Sequence, residues 1–368
     1  MKLAWRELRR RPGRFVTATA ILTLIASLLM LLGGLLDGLL NGATSAVLAQ
    51  PGELIVYSSG SEESFPRSRV DADMIDTVRG VDGVDDAGGL GVVQLGARVP
   101  GRDDRDLLDV VVFGYELAPE GVPDAPADGT AYADTTLQAE GLETGDTIQL
   151  GQARTPVEIA GFIDRDLQYS GQGTLWAAPS TWRAALNANR PGSVLPEGSF
   201  QSIVVDTGSA DPEAVAGRID DATDGGTVTL TTVDASEAIG GVKEQRSTFN
   251  QIIGVTVLIA VVVVALFFVL LTVERLSMYG VLKAIGARSR TLFAGVLLQA
   301  LVVCLIAWSI GAVLAVVLDL VIPVGSIPFT ISPARLAVSG VLLVFAAAFG
   351  SVFSLRRVLR IDPAEAIG

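Results

Sequence analysis

The chain has 368 residues, half of them hydrophobic, a mean hydropathy of +0.50 and 40 acids against 27 bases, for a net charge of −13. Histidine is absent and Cys304 is the only cysteine, which excludes Ser-His and Cys-His catalysis, His-based metal sites and an intrachain disulfide. None of Lys2, Lys243 and Lys283 follows a glycine, so the chain carries no Walker A phosphate loop and any ATP it uses is bound by another chain.

High hydrophobicity beside this much charge points to segregated membrane and aqueous parts. Residues 1–14 set Leu3, Trp5 and Leu8 among Lys2, Arg6, Arg9, Arg10, Arg11 and Arg14. This pattern predicts an amphipathic helix on the inner membrane surface, with Trp5 at the headgroup level; it anchors the chain or also touches an ATPase. Residues 15–37 form the first expected span, with no ionisable side chain in 15–36. Its basic start and the Ala46-Val47-Leu48-Ala49 stretch also loosely fit a signal peptide, although the run exceeds the ~7–15 residues of a signal core. Gly34, Gly38 and Gly42 recur every four residues. Small residues so spaced let helices approach closely, here between protomers or between the first and second spans. A helix loosening near the surface is the plainer alternative.

Residues 38–250 alternate short β-like runs with Gly, Asp and Pro turns. Strands are predicted over 53–57, 108–113, 147–150, 157–162, 202–205 and 227–231. Helices are predicted over 72–79, 180–188 and 212–222, the last with Asp211 as cap and Pro212 at its first position. This is an α+β domain large enough to bury a core. Its acidity keeps a solvated surface soluble or attracts a cationic ligand. Residues 234–249 place Ile239, Val242 and Phe249 on roughly one face, predicting a stalk helix that continues into the second span.

Three further apolar runs are each of the roughly 20 residues a membrane helix needs. They give spans at 251–273, 292–320 and 335–355, joined by a loop at 274–291 and a short turn at 321–334, with a tail at 356–368. Thirteen bases against four acids flank the spans in segments 1–14, 274–291 and 356–368, whereas 38–250 holds 34 acids and 13 bases. The Lys/Arg asymmetry places both termini in the cytosol and the large domain outside. The fold class expected is a four-helix transmembrane domain, all-α, with an inserted α+β extracytoplasmic domain.

Two cytosolic segments carry a specific resemblance. The loop reads Glu274-Arg275-Leu276-Ser277-Met278-Tyr279-Gly280-Val281-Leu282-Lys283-Ala284-Ile285-Gly286-Ala287-Arg288 and the tail Asp362-Pro363-Ala364-Glu365-Ala366-Ile367. Both are similar to the FtsX/MacB-type permeases of ABC transporters, with loops of the sense ER–EIG-LKA-GAS and tails reading DP-EAL. Met278 and Tyr279 replace the family's usual Glu-Ile. The layout of one span, a large domain, three spans and a tail resembles the DevC/HrtB kind of half-permease, and 132–150 resembles a small β module of the MacB-like periplasmic core.

The resemblance implies a non-catalytic, homodimeric permease in the plasma (inner) membrane. It would be served by two copies of a separate ATPase carrying ATP-Mg, and would bind no cofactor of its own and no nucleic acid. It implies that Glu274, Tyr279, Leu282, Lys283, Ile285, Gly286 and Arg288, with Asp362 and Pro363, form the ATPase-coupling surface. Physically, apolar residues there can dock in a groove while the bases set orientation; an ordinary basic loop is the plainer reading. The implied activity is mechanical export or extraction of a hydrophobic or amphiphilic substrate: haem, lipid, peptide or lipoprotein. Glu237 and Glu244 are candidate substrate carboxylates, with haem possible only as cargo, or simply solvated stalk acids. The alternatives are an FtsX-like regulator that activates an extracellular cell-wall hydrolase without transport, and a membrane-anchored binding protein with no ATPase.

Overall fold

The computed structural model describes residues 12–273, 285, 289–322 and 327–359. The elements run α1 (Pro12–Leu48), β1 (Leu54–Ser58), α2 (Ala72–Arg79), β2 (Asp86–Arg98), β3 (Leu107–Tyr115), β4 (Thr130–Ala133), α3 (Thr135–Ala139), β5 (Thr147–Leu150), β6 (Thr155–Phe162), β7 (Gly173–Ala177), α4 (Pro179–Asn189), β8 (Ser202–Asp206), α5 (Pro212–Ala222), β9 (Thr227–Thr231), α6 (Thr232–Glu237), α7 (Val242–Val273), α8 (Ser289–Val321) and α9 (Pro333–Leu359). They form two compact units. A helical unit holds the chain up to Gly38 and most of it from Arg246 onward; an inserted unit spans Leu39–Gln245. Helix α1 is continuous across the first boundary.

In the inserted unit, β2 pairs β3, β3 pairs β7, β7 pairs β4, β4 pairs β6, β6 pairs β5, and β5 returns to β2. The six strands therefore close on themselves and leave no edge. Alternate residues from each strand share one core: Val93 and Ala97, Val110 and Val112, Ala131 and Ala133, Ile148 and Leu150, Val157 and Ile159, Leu175 and Ala177. Strand β2 is long enough to do a second job. Its first half, Asp86–Leu90, pairs β8, from which β1 and β9 extend the sheet. The free edge at β9 is blocked by Asp220 of α5, whose carboxylate accepts from the Thr229 N–H at 3.3 Å and from the Thr227 and Thr229 hydroxyls. An edge closed by a charged side chain does not template pairing with another chain.

The opposite face of β2 and β3 packs a second core around an aromatic row: Tyr57, Phe65, Tyr169, Phe113, Trp176 and Tyr115, with successive ring centroids 4.5–6.1 Å apart. Ala46 and Val47, from the last turns of α1, belong to this core.

In the helical unit all four long helices meet in a core of small and branched residues. Leu22 comes from α1, Val264 from α7, Ala300, Val303, Cys304 and Ala307 from α8, and Ala347 from α9. Among the described residues, these four helices are long and apolar enough to cross a membrane.

Two expectations are corrected. The stalk predicted over 234–249 is not one helix: α6 ends at Glu237 and α7 starts at Val242. Gly240 and Gly241 lie in the break, Gly241 at φ +88°, a conformation glycine adopts without penalty. Asp211 precedes α5 as expected, but its side chain makes no capping hydrogen bond. Of the amphipathic helix expected over 1–14, the first eleven residues lie outside the described ones.

Glycine pavement under α4 makes a sharp prediction. A Cβ on Gly91 would lie 2.1 Å from the ring of Trp182, whereas one on Gly96 would meet the flexible end of Leu107 at 3.2 Å. Gly91→Val should cost about 1–3 kcal/mol as overpacking and lower the thermal midpoint by circular dichroism; Gly96→Ala should leave it nearly unchanged.

Candidate functional site

The described residues hold no cluster of acids and cysteine able to bind a metal ion. What stands out is one face of α1, where side chains are absent and other segments come down to the helix backbone.

Within the helical unit this face is covered by the segment leading into α9. A Cβ on Gly34 would lie 2.5 Å from the Phe329 ring, and one on Gly38 would lie 2.2 Å from the Pro328 carbonyl oxygen. The Thr330 N–H donates to the Gly34 carbonyl at 3.1 Å. Gly33 leaves the path by which Arg335 reaches Asp37, since a Cβ there would meet Arg335 Cδ at 2.5 Å. Arg335 grips Asp37 with both arms of its fork: Nε donates to Oδ2 at 2.8 Å and Nη2 donates to Oδ1. Both side chains are mostly buried. Asp319, at the far end of α8, accepts the Ile331 N–H at 3.2 Å. A bidentate, shielded pair is the strong form of such a contact.

Within the inserted unit the last turns of α1 are received by residues 168–171. The Gly171 N–H donates to the Gly42 carbonyl at 2.8 Å and the Ser170 N–H to Ala43 at 3.0 Å, while the Ala46 N–H donates to the Gln168 carbonyl at 3.0 Å. The Gln168 N–H donates to Ser45 Oγ at 2.8 Å. Gly42 is required here too, because a Cβ would sit 2.9 Å from Gln168 Oε1. Ser170 holds φ +52° to present these donors, a strain on the order of 1 kcal/mol for a residue other than glycine.

The grip continues inward through side chains. Gln168 Nε2 donates to Thr136 Oγ1 at 2.9 Å, and Thr136 Oγ1 donates to Asp166 Oδ1 at 2.9 Å. Thr136 lies in α3, whose cap is Asp134: its Oδ1 accepts the Leu137 N–H at 3.0 Å. The Asp134 side chain is fully buried, and Oδ2 has no hydrogen-bond partner. Burial pushes the Asp134 carboxyl up to about 7; the Leu137 N–H opposes this, the Asp166 charge adds to it, and the Thr136 side chain and the Thr174 backbone oppose it more weakly.

The glycine face is thus covered inside the chain, by Phe329 and Pro328 and by Gln168, and not by the second span. Other candidates fare differently. Glu237 is half-buried at the end of α6 and Glu244 exposed in the first turn of α7, on opposite sides of the break. Ile285 is described and highly exposed, at 77%. Glu274, Tyr279, Leu282, Lys283, Gly286, Arg288, Asp362 and Pro363 lie outside the described residues. Sequence reasoning missed Arg335, Phe329 and Gln168. The signal for the first was present: Asp37 and Arg335 are ionisable groups at the ends of two apolar runs, where such groups pair.

Residues 250–363 match the model of the FtsX-like permease C-terminal family. That match covers less than half of the chain. The resemblance read from residues 274–288 and from Asp362-Pro363 falls within that match. A putative hemin transport system permease protein HrtB of Staphylococcus epidermidis is 29% identical over 143 residues, which are 39% of this chain and 41% of that protein. An uncharacterized ABC transporter permease of Mycobacterium tuberculosis is 38% identical over 136 residues, 34% of this chain and 36% of its own. The chain therefore matches about two fifths of these relatives' length. Among solved structures, the extracellular domain of the transporter YknZ aligns with a TM-score of 0.33 at 15% identity, over 49% of this chain and 100% of that one. The periplasmic region of MacB from Actinobacillus actinomycetemcomitans aligns with a TM-score of 0.33 at 9% identity, over 52% and 94%. The matched region includes Phe329, Asp319 and Arg335, so the residues that cover α1 in the helical unit lie within it.

Asp37→Ala and Arg335→Ala should each lower the stability of the helical unit. The double variant should recover part of the sum, with a coupling of about 0.5–3 kcal/mol. Unfolding titrations of the four proteins in mixed detergent micelles check this.

Proposed function

We propose that the chain is the permease subunit of an ABC transporter, working with a separate ATPase to export or extract a hydrophobic or amphiphilic substrate by mechanical coupling. The observation that carries this reading is the continuity of α1. One helix is fastened to the permease domain through Gly34, Gly38 and Asp37, and its last turns carry the hydrogen bonds of Gln168, Ser170 and Gly171 in the inserted unit. A rod held in this way shifts the domain it enters when its own packing shifts.

The other parts obey the same mechanics. The basic segments at 1–14, 274–291 and 356–368 face the cytosol, and the acidic inserted unit lies on the other side of the plasma membrane. The loop carrying Tyr279, Leu282, Lys283, Ile285, Gly286 and Arg288, with Glu274 before it and Asp362 and Pro363 in the tail, meets the ATPase. Exposed Ile285 fits an apolar contact there. The functional assembly is a permease homodimer with two ATPase copies. Helix α7 leaves Val255, Leu258, Val262, Leu266 and Leu270 exposed, an apolar stripe for the second copy or the bilayer. ATP-Mg sits on the partner and not on this chain. The substrate class suits the membrane setting. A haem-like amphiphile is favoured by the name of the staphylococcal relative, and Glu237 and Glu244 are the carboxylates offered to it.

The test is co-purification from mild detergent. The wild-type chain should bring down a nucleotide-hydrolysing partner, and Leu282→Asp with Ile285→Asp should lose it while still inserting in the membrane. A wild-type chain that brings down no such partner would remove this reading, and unchanged co-purification of the variant would remove the coupling assignment.

A further inference from the structure

The segment whose hydrogen bonds receive the end of α1 is itself built beside a buried carboxyl group with one oxygen unserved. Asp134 is enclosed completely, and its Oδ1 is committed to the Leu137 N–H. Its own N–H donates to the Thr174 carbonyl at 3.1 Å, and the Thr135 N–H donates to the Arg165 carbonyl at 3.3 Å. Thr174 Oγ1 in turn donates to the Leu167 carbonyl. The backbone N–H groups of Asp134 and Thr135 therefore tie the two ends of the 165–174 segment, whose middle, Gln168–Gly171, holds Gly42, Ala43, Ser45 and Ala46 of α1.

The charges around Asp134 do not favour a carboxylate. Asp166 stands on the same segment and repels it. Arg165, the cation of that segment, is turned away: its Nη1 donates to the Glu120 carbonyl at 2.7 Å and lies 3.4 Å from the Glu120 carboxylate. Strand β7 and helix α3 bring no charged side chain, and β4 brings only the phenol of Tyr132. A buried carboxylate oxygen without a donor is far more costly than a neutral carboxyl.

We propose that Asp134 is a proton-operated catch: with a proton on its carboxyl the 165–174 segment holds the end of α1 firmly, and on loss of that proton the segment rearranges to solvate the charge and loosens its hold. The direction comes from linkage. The folded carboxyl titrates at about 7, well above the about 3.9 of an unfolded chain. Its stabilising contribution is therefore complete below about pH 4 and is lost as pH climbs through 7. The catch thus regulates the rod of the proposed transport mechanism, and it rests on that reading only for its consequence, not for its existence.

Hydrogen exchange of the full chain in nanodiscs, without ATPase or nucleotide and corrected for the chemical rate, tests the catch. A failure here leaves the transport reading standing, and loss of the ATPase partner leaves this result standing. In the wild type, protection of amides in 42–48 and 165–174 should fall about tenfold between pH 5.5 and 8. Asp134→Asn keeps the Oδ1 acceptor and cannot ionise, so its protection should be flat. Asp166→Asn removes the repelling charge, so its midpoint should move to lower pH. Flat protection in the wild type overturns the proposal, as does an equal fall in Asp134→Asn. Should Asp134→Asn not fold, an Asp166→Asn midpoint that stays in place overturns it.

Discussion

The structure depends on one stripped face of α1. Gly33, Gly34, Gly38 and Gly42 expose the helix backbone where any Cβ would strike Arg335, Phe329, Pro328 or Gln168. A helix normally offers its neighbours only side chains, since its polar backbone groups are spent on itself. Here Thr330 donates to the Gly34 carbonyl, and Ser170 and Gly171 donate to those of Ala43 and Gly42. Contacts at backbone depth fix axial position, which side chains sliding over one another do not.

Two consequences run from this. In the helical unit, the close approach lets the Arg335 fork reach Asp37 in a sheltered position, so the lead-in to α9 and the helix α1 hold one register. In the inserted unit, the receiving segment is continuous with a six-stranded ring that has no edge and a filled interior. In a closed ring every strand is bonded on both sides. Asp134 Oδ2, beside the segment that receives the end of α1, is among the buried polar atoms that lack a partner.

Much of this was legible in the residues, for reasons that also explain what was not. The four apolar runs and the helices 72–79 and 212–222 were readable because their periodicity and caps are local. Strand β2 was not, because Gly88, Gly89, Gly91 and Gly96 erase the alternating pattern, and the first three are present for the bulk of Leu117, Phe200 and Trp182 lying on the sheet. The stalk failed for the opposite reason: its apolar spacing fits a helix, but Gly240-Gly241 breaks it. The spacing of Gly34, Gly38 and Gly42 falls where other segments come down to the α1 backbone. It carried no information about the partner, because Phe329 and Gln168 are nearly 300 and over 120 residues away in sequence, and only the fold brings them there.

The central claim is that the glycine face of α1 is filled by the same chain. A photo-reactive azidophenylalanine in place of Phe329 tests it most directly, in membranes and without any partner. The account predicts a cross-link within one chain, onto the turn of α1 around Gly34, with no change in mass on a denaturing gel. Cross-linking chiefly to a second copy would show that this face belongs to a contact between protomers and would contradict the account.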